Sequence, residues 1–128
     1  MSSDRLSITV QFVDSSLSDE EREASAVSLY EQLRSADGDL GEPSRPREPA
    51  PPGSKGFGSH VVGSVTALLS AITLKDFFGF LRERLFSREI EIEIEANGKK
   101  LKLKARGRDD LDHALAAAQR FVANESST

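Results

Sequence analysis

Residues 89–104 read EIEIEIEANGKKLKLK, with glutamates at 89, 91, 93 and 95, then Asn97-Gly98, then Lys100, Lys102 and Lys104, with Arg106 continuing the alternation. Carboxylates in a row are the residue type for general acid–base chemistry, provided that burial or like charge displaces their pKa values. The spacing argues against that use. Alternation by two puts all four on one face of a strand, and Asn-Gly supplies the positive φ angles of a two-residue type I′ turn. With the turn at 97–98, Glu95 faces Lys100, Glu93 faces Lys102, Glu91 faces Lys104 and Glu89 faces Arg106. On the other face Ile94 meets Leu101, Ile92 meets Leu103 and Ile90 meets Ala105. Opposed cations on a solvated face supply neither the burial nor the like charge that such chemistry needs, and each pair contributes about 0.2–1 kcal/mol. The row is therefore architecture: a slip of one residue would bury the charges and expose the leucines.

The other chemistry-bearing residues form no constellation. Cys is absent, which removes disulfides, thiolate metal sites and Cys nucleophiles. The two histidines, His60 and His113, stand apart from any metal-ligand spacing; Asp109 precedes His113 by four residues, the spacing of an exposed helix pair. No G-x-S-x-G elbow marks a nucleophilic serine. The run Gly56-Phe57-Gly58-Ser59-His60-Val61-Val62-Gly63 is glycine-rich, but it lacks the lysine and hydroxyl of a Walker loop and follows prolines rather than a strand. No catalytic, cofactor-binding or metal-ligating residue is named on this reading, and the expected class is non-enzymatic with no cofactor.

The elements that carry these residues follow from periodicity. Leu6, Ile8, Val10 and Phe12 alternate with Ser7, Thr9 and Gln11, a strand with one buried and one wet face. Residues 1–5 are expected to be disordered. Ser18 with Glu21 forms a capping box, followed by a helix bearing Ala26, Leu29, Tyr30 and Leu33 and ending at Asp37-Gly38. All five prolines, Pro43, Pro46, Pro49, Pro51 and Pro52, fall inside residues 38–58, read as a Pro/Gly-rich loop without regular structure. Its P-x-x-P spacings are those any proline-rich linker generates.

Residues 59–86 are the most apolar stretch and read as a long helix, or two helices kinked near Thr73, where Thr73 and Asp76 match a second capping box. Residues 56–74 carry no formal charge, so membrane insertion of the apolar helix 56–86 on activation is the alternative functional expectation. Ser59, Gly63, Ala67 and Ala71 recur every four residues, a small-residue row that lets another backbone approach. Phe77, Phe78 and Phe80 span too wide an arc for one helix face, so at least one is expected at the surface. Gly63, Ala67, Ala71, Phe77, Phe78 and Phe80 are accordingly the candidate partner contacts. The last helix is expected from Asp109 or Asp110 through Leu111, Leu115, Ala118, Phe121 and Val122, with a frayed tail at 124–128.

At 128 residues the chain is sized for one domain, placed at 6–123. Its net charge of −4 gives no footprint for nucleic acid, and the start lacks a signal-like segment, so a cytoplasmic location is expected. The fold class expected is α+β: a two-layer sandwich in which a small, mainly antiparallel sheet, the N-terminal strand plus the Asn-Gly hairpin, is covered on one face by about three helices.

The order Ile8-Thr-Val-Gln-Phe12, Gly56-Phe57-Gly58, Phe80-Leu81-Arg82-Glu83-Arg84, Ile90-x-Ile92-x-Ile94, Leu101-x-Leu103 and Asp110-Leu111-x-x-Ala114-Leu115 resembles the bacterial effector-associated constant component family over residues 6–122. The resemblance implies a non-enzymatic adaptor of a bacterial conflict (antiviral defence) system. It further implies association with an effector, such as a caspase-like or trypsin-like protease or a TIR protein, while the small-residue row is the face expected to serve a partner or self-association into an oligomer.

Overall fold

The computed structural model describes residues 5–36, 40–46, 62–85 and 88–126. Five strands and three helices follow in the order β1 (Arg5–Phe12), α1 (Asp19–Ser35), β2 (Glu42–Ser44), β3 (Ser64–Ser70), α2 (Leu74–Arg84), β4 (Glu89–Ala96), β5 (Lys99–Arg106) and α3 (Arg108–Ser126), with one 3-10 turn, Ala71–Thr73, joining β3 to α2. The strands make one antiparallel sheet ordered β2-β3-β1-β4-β5. The architecture is the α+β sandwich expected, with every described helix on the apolar side. α1 lies against β1, β2 and β3, α3 against β4 and β5, and α2 packs on α3.

The core is the period-two pattern made solid. Leu6, Ile8, Val10 and Phe12 of β1, Val65, Ala67 and Leu69 of β3, and Ile90, Ile92 and Ile94 of β4 all face the helices and are buried. Phe77 and Phe78 of α2 close the layer, with ring centroids 6.3 Å apart in an edge-to-face arrangement. At the hairpin, Asn97 and Gly98 take φ values of 54° and 80°, and the register is the one the charge pattern demands: Glu95 with Lys100, Glu93 with Lys102, Glu91 with Lys104 and Glu89 with Arg106.

The β1–α1 connection is held by local polar bonds. Asp14, 8% exposed, accepts from the Ser16 hydroxyl at 2.6 Å and the Ser16 N–H at 3.0 Å. The capping box follows as expected: Ser18 Oγ accepts from Glu21 N–H at 3.1 Å, and Glu21 Oε1 accepts from Ser18 N–H at 2.8 Å.

Four expectations are corrected. The largest concerns residues 59–86: Ser64–Ser70 is a strand and only Leu74–Arg84 is α-helical, so no apolar helix spans 56–86. Within Ser64–Ser70, Val65, Ala67 and Leu69 lie on the core side while Thr66, Leu68 and Ser70 lie on the other, with Ser64 also on that side but buried, an alternation that fits a ladder between β1 and β2. Second, the proline-rich loop contains β2, whose Pro43 pairs with Ala67. Proline lacks an N–H to donate, and an edge strand is where a sheet tolerates it. Residues 47–61, which hold Pro49, Pro51 and Pro52, Gly53, Gly56 and Gly58, and Ser59 and His60, lie outside the described residues.

Third, Thr73 does not cap α2 with its side chain; its hydroxyl donates to the Ser70 carbonyl at 2.9 Å, closing the 3-10 turn instead. Fourth, the ends shift by one or two residues. Arg5 belongs to β1, α1 stops at Ser35, α3 begins at Arg108 after Gly107, and α3 continues through Ser126 into the expected tail. Asp110 does act at the start of α3, where Oδ2 accepts from Arg106 N–H at 2.9 Å. Among the described residues, no helix is long and apolar enough to cross a membrane.

Candidate functional site

The helices leave one face of the sheet uncovered by any described helix, and its side chains fall into columns by chemistry. On β3 and β1 the outward residues are Thr66 and Ser70 beside Ser7, Thr9 and Gln11, with Ser64 on the same side of β3 but buried; on β4 they are the four glutamates; on β5 they are Lys100, Lys102, Lys104 and Arg106. Rows run across the strands. One reads Glu42, Leu68, Ser7, Glu95 and Lys100; the next reads Ser44, Thr66, Thr9, Glu93 and Lys102. Leu68 is the exception in chemistry, an apolar side chain 41% exposed on an otherwise polar face.

The face is held together by short-range bonds. The Thr9 and Thr66 hydroxyls pair at 2.8 Å across β1 and β3. Lys100 Nζ lies 3.4 Å from Glu93 Oε2, one row off its direct partner, and Arg5 reaches Glu42 at 3.8 Å. These ion pairs are exposed, so each contributes little to stability; their consequence is a fixed pattern of potential, neutral then negative then positive across the sheet.

A concavity lies on the helix side of the sheet. α1 and the end of α2 leave between them an open cleft of about 350 Å³, floored by Phe12, Leu29 and Leu85, with Ser25, Ser28 and Gln32 on one wall and Arg84 and Arg88 on the other. The Arg84 guanidinium carbon lies 3.8 Å from the Phe80 ring centroid, a cation–π contact that fixes the head group at the cleft's rim. A shallower recess of about 250 Å³ separates Leu103 and Lys104 of β5 from Asp110, His113, Ala114 and Ala117 of α3.

The residues expected to meet a partner lie elsewhere. Ala67 is buried in β3 between Ile8 and Pro43. Gly63 sits in the turn before β3 with φ +72°, its N–H donating to Glu23 Oε1 at 3.0 Å and its carbonyl accepting from Phe12 N–H at 2.9 Å. Ala71 opens the 3-10 turn, partly buried against the core. Three residues spaced by four do not form a helical row here, because Gly63, Ala67 and Ala71 belong to a turn, a strand and another turn.

Phe77, Phe78 and Phe80 are all buried, against the expectation that at least one is exposed. The arc they span is covered because α2 is enclosed by more than one neighbour: it shares the common core with the sheet, packs on α3, and carries Arg84 over Phe80.

One cluster went unnoticed in the sequence. Arg45, whose side chain is 8% exposed, pairs with Glu23 at 2.7 Å, and its Nε donates to the Ser64 carbonyl at 2.7 Å. Together with the Gly63 N–H this ties α1 to the turn before β3 and to the end of β2. Nothing in the separation of 23 from 45 signals it. Among the described residues, no group of three or more His, Asp or Glu gathers as for a metal ion.

Searches against family models, curated proteins and solved structures find no match to this chain.

Proposed function

We propose that the protein is a non-enzymatic adaptor, a regulatory protein-binding module that works in the cytoplasm and docks an effector on the uncovered face of its sheet. The observation that carries this reading is the open face itself. Five strands present a polar surface graded from hydroxyls through carboxylates to lysines, with Leu68, among the described residues of that face, the one apolar contact, set among Ser7, Thr66 and Ser70. Such a surface suits a protein partner, since fixed complementary charge gives register and association rate while an apolar anchor gives affinity. The sequence resemblance to effector-associated components supplies the setting, a bacterial conflict system whose effector is a caspase-like or trypsin-like protease or a TIR protein. The earlier contact set moves accordingly, from the small-residue row and the phenylalanines, which build the core, to Leu68 and the rows around it.

The test is affinity purification of the tagged protein from its host, with mass spectrometry of what accompanies it, beside the same purification of Ser7→Arg. Ser7 lies between Leu68 and Glu95 on the open face, so arginine there changes the surface and spares the core. Recovery of a protease, TIR protein or regulatory NTPase with the wild-type chain and its loss with Ser7→Arg is the expected result. Recovery of the same partner by both, or of a bare monomer by the wild type, contradicts it.

A further inference from the structure

Beyond the face, the sheet has an edge with its own chemistry. β5 is the last strand of the sheet among the described residues, and its full length from Lys99 to Arg106 borders no further strand. In an antiparallel hairpin closed by a two-residue turn, the pair next to the turn is hydrogen-bonded and bonded pairs then alternate. Ala96–Lys99, Ile94–Leu101, Ile92–Leu103 and Ile90–Ala105 are therefore the bonded pairs, and the N–H and C=O groups of Lys100, Lys102, Lys104 and Arg106 point away from β4. The Arg106 N–H confirms the direction, since Asp110 Oδ2 accepts from it at 2.9 Å. That bond closes one end of the edge and leaves the stretch 100–104 as its length.

Both sides of this stretch are selective. Toward the open face stand Lys100, Lys102 and Lys104, all exposed. Toward the helices stand Leu101 and Leu103, still partly exposed although their partners Ile94 and Ile92 are fully buried. The recess of about 250 Å³ between Leu103 and Lys104 on β5 and Asp110, His113, Ala114 and Ala117 on α3 adjoins this flank. On its other side β5 already receives a strand of this complementary kind, for β4 is Glu and Ile in strict alternation.

We infer that β5 accepts, as a sixth strand, an extended segment of another protein in which acidic residues alternate with apolar ones. The main-chain groups of Lys100, Lys102 and Lys104 bond its backbone, their ammonium groups face its carboxylates, and its apolar side chains lie along Leu101 and Leu103 with one entering the recess. A second copy of this chain is a poor occupant. Antiparallel pairing of two β5 edges would set lysine against lysine, and β4, the acidic strand, has both its edges filled by β1 and β5. The lysines thus discourage edge-to-edge self-association and by the same charge select an acidic strand.

This inference deepens the protein-binding reading above and is tested apart from it, with a synthetic fluorescent peptide, acetyl-EVEVEVE-amide, titrated into the purified full chain. Saturable micromolar binding is expected, weakening as salt is raised, with no binding of the lysine counterpart KVKVKVK. Lys102→Glu with Lys104→Glu should lower affinity for the acidic peptide at least tenfold and admit the basic one. Lys102→Pro, which removes an outward N–H and leaves the β4–β5 ladder intact, should also lower it at least tenfold with an unchanged circular dichroism spectrum. Equal affinity for Lys102→Pro overturns strand addition, and a wild-type chain that ignores the peptide while still capturing its effector through Ser7 and Leu68 overturns the edge inference alone.

Discussion

β3 and β4 flank the central strand β1 on either side, and the same core holds both, yet they are fixed in place by different means. β4 is bound into its register by charge: its four glutamates meet four cations on β5, and the tight Asn97-Gly98 turn leaves no slack in the connection. β3 has no charged residue. Its register rests on the shapes of Val65, Ala67 and Leu69 inside, the Thr9–Thr66 hydroxyl pair outside, and the clamp of Glu23 and Arg45 on the turn that precedes it. A strand registered by charge must carry charged residues on its wet face, whereas a strand held from within leaves that face free to carry other residues. Leu68, exposed on β3, is the residue this freedom permits.

The contrast is open to attack by substitution, beginning inside. Phe77→Ala should cost about 3–5 kcal/mol in denaturant unfolding, because it empties a fully buried position; a near-silent change would return Phe77 to the surface. Glu23→Ala removes the carboxylate that the nearly buried Arg45 and the Gly63 N–H share, with an expected loss of about 2–3 kcal/mol by the same measurement. Ala67→Leu forces extra methylenes between Ile8 and Pro43 and should cost about 1–3 kcal/mol. Were Ala67 on an interface, the variant would keep its melting temperature and lose only assembly.

Across β1, the effects shrink. Glu93→Lys opposes Lys102 and loses the contact with Lys100, yet on an exposed face the cost should stay below about 1 kcal/mol and fade in high salt. The smallest effect is confined to acid. The Ser16 hydroxyl, then the Ser16 N–H, hold the Asp14 carboxyl below its ordinary value of 3.8, against the opposing effect of burial, with smaller help from the Glu89 backbone and Arg106. A depressed folded pKa means that the unfolded chain takes up the proton first, so the Asp14 contribution is complete above pH about 4 and disappears as pH falls through the folded value. Asp14→Asn should therefore differ from wild type at neutral pH and converge with it in acid, as pH-dependent urea unfolding would report.

The hairpin could be read from the chain to the residue, because alternating charge, alternating apolar residues and a turn with only one good geometry all agree. The Ser18–Glu21 box and the β1 alternation were legible for the same reason. Residues 64–70 were not. A spacing of four, as in Gly63, Ala67 and Ala71, returns to the same side of a helix and equally to the same side of a strand, so the small-residue row could not tell the two apart. The discriminating signal was the polar set Ser64, Thr66 and Ser70 between Val65, Ala67 and Leu69, broken by Leu68, which gave the run its helical look. The candidate site followed the misreading: contacts placed on a helix turned out to be core, and the surface that replaces them depends on rows that only the strand order brings together. Glu23 with Arg45 was illegible outright, since long-range ion pairs leave no periodic trace.

Leu68 and Ile72 allow the most direct test of the open face, for they lie four residues apart in one segment and are both exposed, Ile72 at 89% on the 3-10 turn and Leu68 at 41% on the sheet. Recovery of the co-purifying effector should fall at least tenfold with Leu68→Arg and remain at the wild-type level with Ile72→Arg, both variants folded. Loss of the effector with Ile72→Arg and its retention with Leu68→Arg would contradict the assignment of the open sheet face as the docking surface.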